Sequence, residues 1–268
     1  DFCLSRGLGD VYKRQKERVA MKNKKNLHLA IALAISSMPL FSVAEANIYI
    51  GATVGNDYTV NASADAYPNL VGHAFGIYTN GGNASSVTTA GDRLTLITSG
   101  QAADGIRSNP SGNSDWQNAS GTINVGDDLT ITVSGNSADG LNINGSTVLN
   151  IGDNATINTL YNGELKYSNG DTSDGAHAVR ANFHATINIG DGLTAGTLGE
   201  SSHAVYAAQG RSTTNPTGGS KINIGKGAVL STAGDGSHTV MMASNNGKIV
   251  IEAVSYTHLR AHETGRNL

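Results

Sequence analysis

The sequence predicts an all-β protein, a right-handed parallel β-helix (a solenoid) of about six rungs that follows a helical signal peptide. Two short motifs alternate along residues 47–252 at nearly constant offsets, and aliphatic and polar side chains alternate between them. A period of two is typical of a β-strand with one buried face. A repeat unit this short cannot bury its own apolar face, so stacked copies are needed to form a core.

The first motif is a Gly-Asp turn that recurs at spacings of 26 to 38 residues. Its copies are Gly91-Asp92, Gly126-Asp127, Gly152-Asp153, Gly190-Asp191 and the variant Gly225-Lys226. We expect the glycines to supply positive φ and each aspartate to cap its own turn. An aliphatic-Asn-aliphatic run precedes the last four copies, and its asparagines are expected to form amide ladders between rungs (Asn124, Asn150, Asn188, Asn223).

The second motif is a small residue, then Asp or His, then a small residue and an aliphatic one. Its copies are centred on Asp104, Asp139, His177, His203 and His238, with a fainter copy at Phe75. The Asp or His generally follows the turn glycine by 13 residues, and the additional chain length collects in three inserts. Their composition predicts surface loops within Arg107–Ser120, Leu160–Thr172 and Gln209–Ser220. The first and third inserts leave the same point of their units, with two rungs expected between them, and the second leaves the other half-unit.

The ends of the chain differ from the repeats. Residues 1–15 and 253–268 resemble translated sequencing adapter, and 16–20 is expected to be upstream read-through. Residues 21–46 combine a lysine-rich start, a short apolar stretch and an Ala-x-Ala end, which predicts a signal peptide cleaved between Ala46 and Asn47, with cleavage after Ala44 as the alternative. The β-helical domain is therefore expected to be residues 47–252, a piece of a longer protein.

The composition of residues 47–252 excludes several classes of function. This span has eight basic and sixteen acidic side chains, a net charge of −8, so nucleic acid is not an expected partner. The one cysteine, Cys3, lies outside the span, which excludes disulfides and cysteine chemistry within it.

Two columns of repeated side chains are open to more than one interpretation. The aligned aspartates could bind calcium, but solvated turn residues account for them more simply. His177, His203 and His238 occupy one motif position in successive units. They could form a zinc site or an acid sensor, or simply fill a half-buried corner that accepts Asp or His. We assign no catalytic, metal or cofactor residue, and we place a candidate contact loop at Asp115, Trp116 and Gln117.

The signal peptide, the acidic cysteine-free chain and the repeated Ile-Asn-Ile-Gly-Asp and Ala-Asp-Gly-Leu motifs resemble the passenger domain of a bacterial autotransporter of the pertactin-like kind. The resemblance implies export to the cell surface, the outer membrane or the medium. It also implies an outer-membrane β-barrel farther along the same chain as a partner. It favours a non-enzymatic role in adhesion or self-association through contacts with a host surface or another copy. The alternatives are a secreted carbohydrate-active β-helix enzyme and a plain spacer for a distal domain.

Overall fold

A computed structural model describes residues 48–64, 74–79, 86–108, 119–161, 175–208, 219–243 and 246–258 of the chain. All of these residues belong to one compact unit, residues 42–258. They form 21 short β-strands and no α-helix, and every strand pair is parallel. Among these described residues no helix is long and apolar enough to cross a membrane.

The strands belong to three parallel sheets of seven strands each, and every third strand returns to the same sheet. Sheet I contains β1 (Ile48–Tyr49), β4 (Ile77–Thr79), β7 (Ile106–Ser108), β10 (Leu141–Ile143), β13 (Val179–Ala181), β16 (Val205–Ala207) and β19 (Val240–Met242). Sheet II contains β2 (Thr53–Val54), β5 (Val87–Ala90), β8 (Ser120–Val125), β11 (Ser146–Ile151), β14 (Thr186–Ile189), β17 (Lys221–Ile224) and β20 (Lys248–Ile251). Sheet III contains β3 (Thr59–Ala62), β6 (Thr95–Thr98), β9 (Thr130–Val133), β12 (Thr156–Thr159), β15 (Thr194–Thr197), β18 (Ala228–Thr232) and β21 (Val254–His258).

Three consecutive strands, one from each sheet, make one rung, and rungs 1 to 7 stack along one axis. This confirms the predicted parallel β-helix. The six rungs whose second motif is visible in the sequence are rungs 2 to 7, and a further rung, β1 to β3, precedes them. β21 continues sheet III within the stretch that resembles adapter sequence. The right-handed coiling stays a prediction, and the signal peptide lies outside the described residues.

One hydrophobic column fills the interior of the stack, and all three sheets contribute to it. Ile106 comes from sheet I, Leu149 and Ile187 from sheet II, and Ile131 from sheet III, and each is fully buried. The register aligns equivalent residues, so that Leu149 pairs with Ile123 on one side and Ile187 on the other. The predicted alternation thus points aliphatic side chains inward in rung after rung.

The two motifs occupy two of the three corners where the chain passes from sheet to sheet. The Gly-Asp turn lies at the II–III corner, between the second and third strands of each rung. The Asp/His motif lies at the III–I corner, just before the first strand of the next rung. The remaining I–II corner is tight in rungs 4 and 5, where short connections at Asn144-Gly145 and at residues 182–185 join the strands.

Candidate functional site

The II–III corner carries a continuous ladder of side-chain hydrogen bonds. The backbone N–H of each motif residue donates to the side chain of the equivalent residue one rung earlier. Asp127 donates to Asp92 Oδ1 over 3.1 Å, Asp153 to Asp127 Oδ1 over 2.8 Å, and Asp191 to Asp153 Oδ1 over 2.8 Å. The ladder starts at Asn56, which accepts from Asp92, and ends at Lys226, which donates to Asp191 but has no acceptor to offer.

This ladder corrects two predictions about the Gly-Asp turn. Each aspartate accepts a bond from the next rung, whereas we expected it to cap its own turn. The turn glycines Gly91, Gly126, Gly152, Gly190 and Gly225 are also not the residues with positive φ, which fall two positions later: Arg93, Asp128, Asn154, Gly192 and Gly227. The glycines serve a steric purpose instead, because a Cβ at Gly152 would collide with Asp127.

An exposed ion pair lies beside the start of this ladder. Arg93 donates from Nε and Nη2 to the two carboxylate oxygens of Asp57, over 2.6 and 2.8 Å. The hydrogen bond from Arg93 lowers the pKa of Asp57 below its ordinary value, and the same bond raises the pKa of Arg93. Both side chains are at least half exposed, so solvent screens the pair and its contribution to stability is small.

The III–I corner carries a second ladder of hydrogen bonds between rungs, in which the acceptor changes from carboxylate to imidazole along the stack. Asp139 N–H donates to Asp104 Oδ1, and His177 N–H donates to Asp139 Oδ1, each over 2.7 Å. From there imidazoles take over: His203 N–H donates to His177 Nδ1 and His238 N–H to His203 Nδ1, each over 2.9 Å. The three histidine rings stack, with centroids 5.0 and 5.4 Å apart.

Two arginines on sheet I balance the buried carboxylates of this ladder. Arg107 Nη1 lies 2.8 Å from Asp104 Oδ2, and Arg180 Nη1 lies 3.6 Å from Asp139 Oδ2. Burial raises the pKa of Asp104, and the positive charge of Arg107 opposes that shift. Burial likewise raises the pKa of Asp139 to about 8, against the attraction of Arg180. Removing an arginine would leave a buried carboxylate uncompensated, which is costly.

The arginines belong to a column of outward-facing side chains on sheet I that is nonetheless covered. In register it contains Tyr78, Arg107, Asn142, Arg180 and Tyr206. Arg180 lies over the Tyr206 ring at 5.7 Å, and the His177 ring is tilted against the same ring at 4.5 Å. Sequence reasoning missed this column, although its members follow the Asp or His of each unit by three residues.

The environment of His177 keeps its imidazole neutral. Since Nδ1 accepts a backbone N–H, the ring proton must sit on Nε2. Nε2 is buried and has no hydrogen-bond partner among the described residues. Burial lowers the pKa of His177 well below its ordinary value, and the nearby charge of Arg180 lowers it further. The ring therefore acts as a buried acceptor and not as a charged group.

The predicted asparagine ladder on sheet II is confirmed. Asn150 Nδ2 donates to Asn124 Oδ1 over 2.9 Å, and Asn188 and Asn223 continue the chain over 2.8 Å each. A second amide cluster closes the I–II corner, where Asn182 Nδ2 donates to both Asn142 Oδ1 and Asn144 Oδ1. These amides are engaged with one another, so they contribute to the scaffold and not to a ligand site.

The described flanks fix where the three inserts leave the stack. Residues 109–118 connect β7 to β8 in rung 3, and residues 209–218 connect the end of rung 6's first strand to β17. Both therefore leave the I–II corner, with rungs 4 and 5 between them, as predicted. Residues 162–174 leave the III–I corner after β12, also as predicted. The insert interiors, the contact loop Asp115, Trp116 and Gln117, and the cleavage site at Ala46 and Asn47 lie outside the described residues.

Among the described residues, the carboxylates and histidines do not meet in one accessible cluster. The carboxylates with arginine partners, Asp104 and Asp139, are buried, whereas Asp127, Asp153 and Asp191 are exposed and hold the next rung. No group of three or more His, Cys, Asp or Glu among the described residues is arranged to hold a metal ion. Comparisons with protein-family models, with curated proteins and with solved structures found no match.

Proposed function

We propose that this chain is the β-helical part of an exported, surface-displayed protein of the autotransporter passenger type. Its role is non-enzymatic contact, in adhesion or self-association, made by loops that the stack holds in place. The observation that carries the proposal is the contrast at the I–II corner. Long inserts leave it in rungs 3 and 6, whereas the two rungs between them turn tightly.

The ladders supply the rigidity that such presentation needs. Extra chain length at rungs 3 and 6 leaves the strand register unchanged, since β8 and β17 still align with their neighbours residue for residue. Loops fixed on a regular scaffold are the usual location of binding residues. The signal-like residues 21–46 and the absence of cysteine from 47–252 support export.

The burial of Asp104 and Asp139 supports a non-enzymatic role over the carbohydrate-active alternative. Hydrolysis of a glycoside needs two carboxyl groups that reach the substrate. Both of these side chains are 2 % exposed or less, and their oxygens already hold arginines and backbone N–H groups. We therefore assign Asp104 and Asp139 a role in stabilising the III–I corner.

The test is to replace the two I–II inserts, residues 109–118 and 209–218, with the Asn-Gly connection that rung 4 uses. Beads coated with the full chain are assayed for clumping with one another and for attachment to host cells. We expect clumping or attachment to fall about tenfold or more, as when a contact hot spot is removed. The variant should keep the β-sheet circular dichroism and unfolding midpoint of the parent.

A matched control replaces residues 162–174, the insert at the III–I corner, in the same way. We expect this variant to behave as the parent chain does. If the double replacement folds normally and attachment is unchanged, the contact role of these loops is wrong and the spacer interpretation is supported.

A further inference from the structure

The III–I corner ladder changes its chemistry between rung 4 and rung 5. Asp104 and Asp139 link rungs 3, 4 and 5 through carboxylate oxygens, whereas His177 and His203 link rungs 5, 6 and 7 through imidazole nitrogens. A carboxyl group can accept a hydrogen bond in either protonation state. An imidazole that gains a proton becomes a donor at both nitrogens.

Protonation of His203 would therefore reverse the polarity of its link to rung 7. The new N–H on Nδ1 would face the N–H of His238, which now donates to that atom over 2.9 Å. Two donors cannot bond each other, and the lost bond leaves a polar group unsatisfied. The same reversal at His177 would break the link to His203.

Burial and the nearby charge of Arg180 disfavour a positive charge on His177. The described groups that face the two rings include Asp139 in rung 4, Arg180 on β13, Tyr206 on β16 and His238 in rung 7. Asp139 already accepts from the His177 backbone and faces Arg180. A protonated His203 would lie between two other imidazoles, with centroids 5.0 and 5.4 Å away.

We propose that the histidine part of this ladder is an acid-operated release for the C-terminal rungs. At neutral pH the imidazoles accept the hydrogen bonds that link rungs 5, 6 and 7. At acidic pH these hydrogen bonds break, while the hydrogen bond through Asp104 between rungs 3 and 4 remains. Rung 7 opens first, because His203 is less deeply buried than His177.

The sign of the effect follows from the environment of His177. Its pKa in the folded chain lies well below the ordinary value of 6.5, mainly because the ring is buried. The unfolded chain therefore binds more protons than the folded chain below about pH 6.5. The stability contributed by the neutral ring is complete above that pH and declines as the pH falls below it.

The test compares amide hydrogen exchange of the full chain at pH 7.5 and pH 5, corrected for the intrinsic pH dependence of exchange. We expect protection of β19 and β20 in rung 7 to fall about tenfold relative to β8 in rung 3, as for the loss of one buried hydrogen bond. His203→Asn should abolish this difference, because the asparagine Oδ1 accepts at either pH. Equal pH dependence in the parent and in His203→Asn would overturn the proposal.

Two further measurements complete the test. His184→Asn is the matched control, since His184 lies at the I–II corner outside the ladder, and it should respond to acid as the parent does. If His203→Asn fails to fold, nitrogen-15 NMR of the parent chain decides instead. Both His177 and His203 should carry their proton on Nε2 at pH 7.5, and a proton on Nδ1 of either ring would overturn the proposal. Neither readout depends on adhesion.

Discussion

Glycine and aspartate in the first motif depend on each other across rungs. Asp127 Oδ1 accepts from Asp153 N–H, and to do so it lies where a Cβ of Gly152 would be. The same relation joins Asp92 to Gly126, Asp153 to Gly190 and Asp191 to Gly225. The backbone at these glycines is outside the positive-φ region, so their selection reflects space and not conformational freedom.

Gly152→Ala should destabilise the chain by roughly 1–3 kcal/mol, because the added methyl group overpacks the corner against Asp127. Gly55→Ala is the matched control, since Gly55 holds the same motif position in rung 1 and has nothing within 4 Å of an added Cβ. Urea unfolding would measure both. A Gly55→Ala variant as unstable as Gly152→Ala would show that backbone strain, and not the neighbouring aspartate, requires the glycine.

Asp127→Ala adds a second check at this position. On its own it removes an acceptor and should cost about 1 kcal/mol. Combined with Gly152→Ala it also removes the obstacle, so the double variant should be more stable than the sum of the single effects implies. Simple additivity would mean that the two side chains do not compete for one space.

A single strand has two faces with opposite requirements. Along β14, Ile187 and Ile189 point into the core, whereas Thr186 and Asn188 point outward. Each inward position continues a column through the neighbouring strands, as Ile189 does between Ile151 and Ile224. A change at an inward position therefore disturbs three rungs at once.

Ile189→Asp should destabilise the chain by about 3–5 kcal/mol, because it places a charge without a partner in the aliphatic column. Thr186→Asp on the same strand is the control and should change stability by less than about 0.5 kcal/mol. Its side chain points outward and its register partner in rung 6 is Lys221. Thermal unfolding followed by circular dichroism would compare them. Similar losses from both substitutions would contradict the assignment of the two faces.

The strands and their inward faces could be predicted from the sequence because alternation is a local signal. In β10 the core contains Leu141 and Ile143 while Asn142 between them faces outward, as the alternation of aliphatic and polar side chains predicts. That Asn142 is nonetheless only 7 % exposed could not be predicted, since alternation identifies a face but not what covers it.

The ion pairs at the III–I corner could not be predicted for a related reason. Arg180 balances Asp139, which lies 41 positions earlier in the chain and one rung away. The pairing depends on the register between rungs and on how the corner folds over sheet I. The motif alone shows Asp and His as equivalent, and only the geometry shows that both are needed as acceptors for the next N–H.

The described strands form a stack in which each inner rung contacts its two neighbours. Its stability should therefore be close to a sum of contributions from rungs and from the interfaces between them. The 26-residue spacing from Gly126 to Gly152 is the shortest between two copies of the first motif and contains no insert. It offers the cleanest place to remove one unit without changing the others.

Deletion of residues 127–152 should give a folded chain with one rung fewer and a lower unfolding midpoint. The junction would place Asp153 after Gly126, so that Asp153 N–H could donate to Asp92 Oδ1. Deletion of residues 127–139, half as long, is the control and should abolish cooperative unfolding, because it removes one strand and shifts the later strands between sheets. Comparable unfolding curves for both deletions would contradict a stack of independent rungs.

The asparagine ladder gives sheet II a net dipole along the axis of the stack. From Asn223 to Asn124, each carboxamide points its N–H toward the earlier rung and its oxygen toward the later one. The amide dipoles are therefore aligned head to tail, and each polarises the next. Val250, next in register after Asn223, has no amide to extend the series. The two ends of this face are consequently unlike, positive toward rung 1 and negative toward rung 7.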